Sequence, residues 1–115
     1  MSSYIYFTLL GLTQLVHSQE EIWTGFNRIW FVFTMPLWAF VAFEVLFSVP
    51  IVAYIVDPKL PLAHWYMPLF ALVMLINGVG HIVWGLVERR YVPGLITAPF
   101  FVVLFSLYYL TLIRT

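Results

Sequence analysis

Thr34-Met35-Pro36-Leu37-Trp38-Ala39-Phe40-Val41-Ala42-Phe43-Glu44-Val45-Leu46-Phe47-Ser48-Val49-Pro50-Ile51-Val52-Ala53-Tyr54-Ile55-Val56 carries a single charged side chain, Glu44. A bilayer-crossing helix needs about 20 predominantly apolar residues, and this run supplies them. Thr34-Met35-Pro36 suits the entrance, with proline in the first turn. Pro50 is expected to kink the helix and leave a carbonyl that must find a neighbour. Asp57-Pro58-Lys59-Leu60-Pro61 ends the run as a short loop.

Outward from this segment, three further apolar runs divide the chain. The first spans about 4–22, apolar to Val16 and polar beyond it, and Gly11, Thr13 and Gln14 suit a helix–helix contact. Between it and the quoted run, Trp23, Phe26, Trp30 and Phe33 recur at spacings of three and four while Asn27 and Arg28 interrupt. That pattern reads as a short interfacial segment with aromatic anchors. The third run covers about 65–87, with Trp65 and Tyr66 as a belt, Pro68 in its first turn and Glu88-Arg89-Arg90 as a cap. The fourth covers about 92–113, opened by Pro93-Gly94, with Pro99 as a possible kink and no ionisable side chain in its middle. The expected fold is all-α: a four-helix transmembrane bundle, one integral membrane domain over 1–115.

Composition agrees. The chain is 63% hydrophobic and 9% charged, where a soluble domain carries about 25% charged residues. The formal net charge is zero, so no basic field points to nucleic acid. Without cysteine there is no disulfide, thiolate nucleophile or thiolate ligand, and any metal must be held by imidazole and oxygen. Met1 to Tyr6 has no basic side chain and no cleavage pattern follows Val16, so the first run is expected to be retained. Four spans place both termini on one side. Arg28, Arg89 and Arg90 then lie on the opposite side, against Lys59 and Arg114, which assigns the loops after segments one and three to the cytoplasm.

The polar residues collect in one layer. Each helical residue advances about 100°, so with His17 at zero, Glu20 lies at about −60° and Glu21 at about +40°. Asn77, His81 and Glu88 fall within about 40° of one another, beside Gly78 and Gly80, which allow close helix approach. His81 lies about 10 Å below Glu88, and Glu44 about 12 Å below Pro36, measured from the same side. His64 stands at the far end and is excluded. A carboxylate deep in a span is costly, so Glu44 should face a partner or water.

His17-Ser18-Gln19-Glu20-Glu21 resembles the motif that names the HXXEE domain family of small bacterial and archaeal membrane proteins. Asn77 and His81 match an N-x-x-x-H element, and Arg90-Tyr91-Val92-Pro93-Gly94 is similar to the family's R-Y-x-P-G. The resemblance implies a multi-span protein with a polar intramembrane site, in a bacterial or archaeal cell membrane, and no established reaction. Glu44 enters on depth alone.

Three uses of such a site compete. His17, Glu20, Glu21, Glu44 and His81 can act as ligands for Zn²⁺ or non-haem iron, with Asn77 orienting a ligand. His at i with Glu at i+3 reverses the Glu-x-x-His order of di-iron bundles. The activity is then a metal-dependent hydrolase or oxidoreductase acting on a lipophilic small molecule, with Glu20, Glu21 and Glu44 as catalytic carboxylates. The second use is metal-free acid–base isomerisation of a lipid by carboxylate and histidine. The third is a proton or cation path, for which four spans suffice only in an oligomer. The bland alternatives are a charged helix end for His17–Glu21, an interhelical hydrogen bond for Asn77 and His81, and an interface cap for Glu88-Arg89-Arg90.

Overall fold

The computed structural model describes residues 2–114, and these form five helices and no strand. They are α1 (Ser3–Thr24), α2 (Phe26–Ile29), α3 (Leu37–Val56), α4 (Ala63–Glu88) and α5 (Ala98–Ile113). Two of them, α3 and α4, are long and apolar enough to cross a membrane. Helix α5 is apolar but has 16 residues. Helix α1 has 22 residues, with a polar second half.

The fourth segment departs from its expected start at 92. Residues 91–97 are turn and coil, and the helix begins at Ala98. Gly94 takes φ +91°, a left-handed conformation no helix interior accommodates, and Pro93 lacks the N–H a helix would use. Pro99 therefore lies in the first turn of α5, where its missing donor costs nothing, and is no kink. This loop is not a surface connection, since Val92, Pro93 and Gly94 are buried.

Helix α1 is central: it packs against α2, α3, α4 and α5, while α4 and α5 form the most extensive pair. Small residues set the closest approaches. A Cβ on Gly11 would stand 2.8 Å from Ile55 Cδ1 of α3, and one on Gly78 would stand 2.8 Å from the Ala98 carbonyl of α5. Gly80 has no such role, because a Cβ there meets nothing within 4 Å.

Two apolar clusters hold the bundle. One gathers Phe7, Leu10, Ile51, Phe70, Met74 and Phe101 toward the terminal end. The other gathers Phe26, Phe40, Trp84 and Val92 toward the opposite end. Between them along α1, α3 and α4 lie the buried polar residues Gln14, His17, Ser18, Glu21, Glu44 and His81. Gly25, at φ +84°, ends α1 in a left-handed cap, its N–H bonded to the Glu21 carbonyl. Asn27 then ties the chain leading to α3: its amide donates to the Met35 carbonyl at 3.1 Å, and Met35 N–H returns a bond at 2.9 Å.

Candidate metal centre

Three side chains from two helices converge. His17 and Glu21 stand one turn apart on α1, and His81 faces them from α4. The imidazoles meet edge to face with centroids 4.7 Å apart. His17 Nε2 is 3.5 Å from Glu21 Oε1, and His81 Nε2 is 3.3 Å from Glu21 Oε2. One ligand atom from each lies within 4.8 Å of the others, and all three residues are buried. Tetrahedral ligands at about 2.1 Å from a metal sit about 3.4 Å from one another, a spacing the two Glu21–imidazole distances match, so the group could hold an ion if the rings draw in toward it.

The tautomer of His17 follows from a count of protons. The Thr97 hydroxyl has one, which it donates to Glu20 Oε1 at 2.8 Å. His17 Nδ1 lies 2.5 Å from the same hydroxyl, so that nitrogen is the donor. Its Nε2 is left with a lone pair, to which the Asn77 amide donates at 3.3 Å. A lone pair and a carboxylate therefore sit side by side in a buried space. A metal ion bound at Nε2 would have to displace the Asn77 donor from that lone pair. Metal-ligating histidines commonly have their far ring nitrogen held by a hydrogen-bond acceptor, as Nδ1 of His17 is by Thr97.

The two adjacent glutamates of the motif part company. Glu21 joins the histidines, whereas Glu20 turns to the 91–97 loop. Glu20 Oε2 accepts from the N–H groups of Gly94 and Ile96 at 3.1 and 3.0 Å, and from the Tyr91 hydroxyl. Its Oε1 accepts from Thr97 N–H at 3.0 Å as well as from the Thr97 hydroxyl. Five donors on one carboxylate match an ionised group placed at the start of a helix. Burial and the bond to Glu20 hold the Tyr91 phenol above its usual value. Glu20 is thus not among the converging ligand atoms.

Glu44 of α3 is buried and accepts from the Ser18 hydroxyl, which in turn accepts from the Gln14 amide at 3.2 Å. Glu44 lies outside the three-residue cluster, yet it shares with Glu21 and Asn77 the wall of a cavity of about 540 Å³. Glu88 lies elsewhere, exposed and 3.8 Å from Arg90 Nε.

Gly94 closes the centre from below. A Cβ there would stand 2.6 Å from Cε1 of both His17 and His81. The loop backbone is pressed against the two rings, with no room for a side chain. Sequence reasoning passed over Thr97, the residue that fixes the His17 ring. Its signal was present: Thr97-Ala98-Pro99 has the form of an N-cap followed by a proline in the first turn.

Residues 8–109 match the model of a family described as a protein of unknown function with HXXEE motif. Neither a curated protein nor a solved structure matches the chain.

Proposed function

The chain belongs to the HXXEE family, and from that premise we propose that it is a multi-pass membrane enzyme whose His17–Glu21–His81 cluster binds Zn²⁺ or iron and acts on a lipophilic substrate. The observation that carries this reading is the convergence of His17, Glu21 and His81 on one buried point. His17 Nδ1 is paired with the Thr97 hydroxyl, which donates to Glu20, and Nε2 is turned toward Glu21 and the space shared with His81. Two imidazoles and one carboxylate form the donor set of catalytic zinc and of non-haem iron sites, with coordination positions left open. A metal held there supplies a Lewis acid that polarises water or a substrate oxygen. The chain supplies the rest. Glu21 and the histidines would hold the ion, Asn77 lies beside His17 Nε2, and Glu44, oriented by Ser18, is placed to move a proton on a substrate in the cavity.

The lipophilic part of the reading proposes four membrane passes, by α1, α3, α4 and α5, of which α3 and α4 are long and apolar enough to cross. The exposed surface of α3 is apolar along its length, from Leu37 and Trp38 through Phe43, Leu46 and Val49 to Val56. Exposed Trp23, Phe31 and Trp38 gather at one end and Trp65 stands at the other, as interface anchors do. Helix α1 is about 33 Å long, enough for a hydrocarbon core of about 30 Å. The loop before α5 is admissible at depth because Glu20 satisfies its N–H groups. Cysteines introduced by Ser2→Cys and Arg114→Cys should label from the same side of the membrane. Labelling from opposite sides removes the four-pass arrangement.

Metal analysis tests the centre. Purified protein should carry close to one Zn or Fe per chain, and His17→Ala, Glu21→Gln and His81→Ala should each lose it. One alternative keeps an observation of its own: Glu21 reaches both imidazoles at ion-pair distance, an arrangement that also suits metal-free proton transfer on a lipid. Metal-free protein whose stability and activity survive chelation establishes that alternative in place of the first.

A further inference from the structure

Glu44 is 6% exposed, yet half of its carboxylate is unengaged. The Ser18 hydroxyl donates to Oε2, and among the described residues no donor reaches Oε1. Unlike the occluded Gln14 oxygen, Glu44 Oε1 keeps accessible surface. A buried carboxylate is costly unless it is paired, so an open oxygen on one calls for a cationic donor from outside the chain.

The space beside it suits such a donor. Glu44 lines the cavity of about 540 Å³, within the range of small-molecule sites, about 300–1,000 Å³. On α3, Phe40 and Phe47 stand four residues before and three after Glu44, on the same helix face, and both line the cavity with it. Phe26 is stacked on Phe40 at 5.3 Å between centroids, and Phe43 on Phe47 at 5.9 Å, which extends the aromatic wall. Aromatic faces attract cations. No lysine or arginine is among the lining residues, so nothing in the wall offsets the Glu44 charge. Glu21 lines the cavity too, but both its oxygens lie against the imidazoles, where the proposed metal would take its charge. Glu44 also borders a groove of about 780 Å³ between α1 and α3, whose wall is aliphatic. Only the cavity joins the carboxylate to aromatic rings.

We infer that this cavity binds a lipophilic amine, whose ammonium donates to Glu44 Oε1 while its hydrocarbon body packs on the aromatic wall. The inference rests on the cavity being the substrate chamber of the proposed enzyme, and it names the substrate's head group. An ammonium paired with a carboxylate is neutral as a whole, so the chamber takes up no net charge. An alcohol would make only the weaker, singly charged bond. A carboxylate or phosphate head would set its charge against Glu44 with no basic side chain to offset it.

The test uses the full chain in phosphatidylcholine nanodiscs, with tritiated dodecylamine as the bound probe. Dodecylamine, dodecanol and dodecanoate are the competitors, their potencies referred to concentration in the membrane. Dodecylamine should bind above the level of empty nanodiscs and compete about tenfold better than dodecanol, the margin of an ion pair over a hydrogen bond from a neutral donor. Dodecanoate should not compete. Glu44→Gln, which keeps the bulk and removes the charge, should bring amine and alcohol to equal potency. Phe43→Leu, at an exposed position, should weaken amine binding about threefold and leave the alcohol unchanged. Val49→Phe narrows the groove rather than the cavity and should leave amine binding unchanged. The amine–alcohol comparison on the unaltered chain stands even if Glu44→Gln does not fold. The inference is overturned if dodecylamine does not bind, if dodecanol or dodecanoate equals it, if Glu44→Gln keeps the preference, or if Val49→Phe abolishes binding. Metal content is read on the same samples. Bound metal without the amine preference sinks this inference alone, and the preference without metal sinks the metal centre alone.

Discussion

Gly94→Ala should be the most damaging single methyl that can be added to this protein. The added carbon would stand 2.6 Å from Cε1 of both His17 and His81 and 2.7 Å from His81 Nδ1. Neither ring can retreat freely: His17 is fully buried against Phe101 at a centroid distance of 5.0 Å, and His81 packs on Trp84 and Phe26. Overpacking of this kind costs about 1–3 kcal/mol. The backbone adds its own term, since φ +91° is a conformation that L residues avoid at a cost of about 1–3 kcal/mol. Together about 2–6 kcal/mol is at stake, a large share of the stability of a small domain. Thermal denaturation should show a fall of more than about 10 °C, and the variant should lose the ability to retain metal. Gly80→Ala is the matched control. It adds the same methyl inside α4 where nothing lies within 4 Å, so it should be neutral or slightly stabilising. Equal melting of Gly94→Ala and the unaltered protein would mean that the loop does not press on the histidines.

Glu20→Ala is the second large effect, and it separates two views of the motif. If His17–Glu21 were only a charged helix end, removing Glu20 would change stability by no more than about 0.5 kcal/mol. Here the carboxylate accepts from Tyr91, Gly94, Ile96 and twice from Thr97. Its loss leaves three backbone N–H groups and the start of α5 without their acceptor. Each buried group so stranded costs about 1–3 kcal/mol; those that reach solvent cost less, and about 3–5 kcal/mol in all is expected. The consequence reaches the centre through Thr97. With Glu20 gone, the Thr97 hydroxyl is free to donate to His17 Nδ1, which allows the other tautomer and places a proton on Nε2. Metal retention should therefore fall with stability, although Glu20 is not among the three converging residues. Glu20→Asp, which keeps the charge but shortens the reach, should fall between. Unchanged melting and unchanged metal content in Glu20→Ala would return the motif to a helix end.

The division of labour between Glu20 and Glu21 has a physical cause that helical periodicity does not contain. Angles of about −60° and +40° both lie within reach of the His17 face. What separates them is the neighbour each meets. On the Glu21 side stands α4 with His81, and on the Glu20 side stands the 91–97 loop with its row of N–H donors. Those partners are 60 and more residues away in the chain, as in the Glu20 bonds to Gly94 and Thr97.

From the sequence alone, the apolar runs and their proline and charge breaks determined an all-helical chain, and rise-per-residue arithmetic set His17, Glu44 and His81 at one depth. These are properties of single helices, where local geometry is regular and side-chain direction follows from position. The motif with Asn77, His81 and the Arg90–Gly94 element determined the family. Only the tertiary structure decided that α5 starts at Ala98, that Thr97 and Glu20 orient His17, and that Gln14 holds an unpaired acceptor. Each of these depends on which groups from distant segments compete for one proton or one lone pair. That competition is resolved by packing, where Gly94 lets a buried loop rest against two imidazoles, and no periodicity along the chain encodes it.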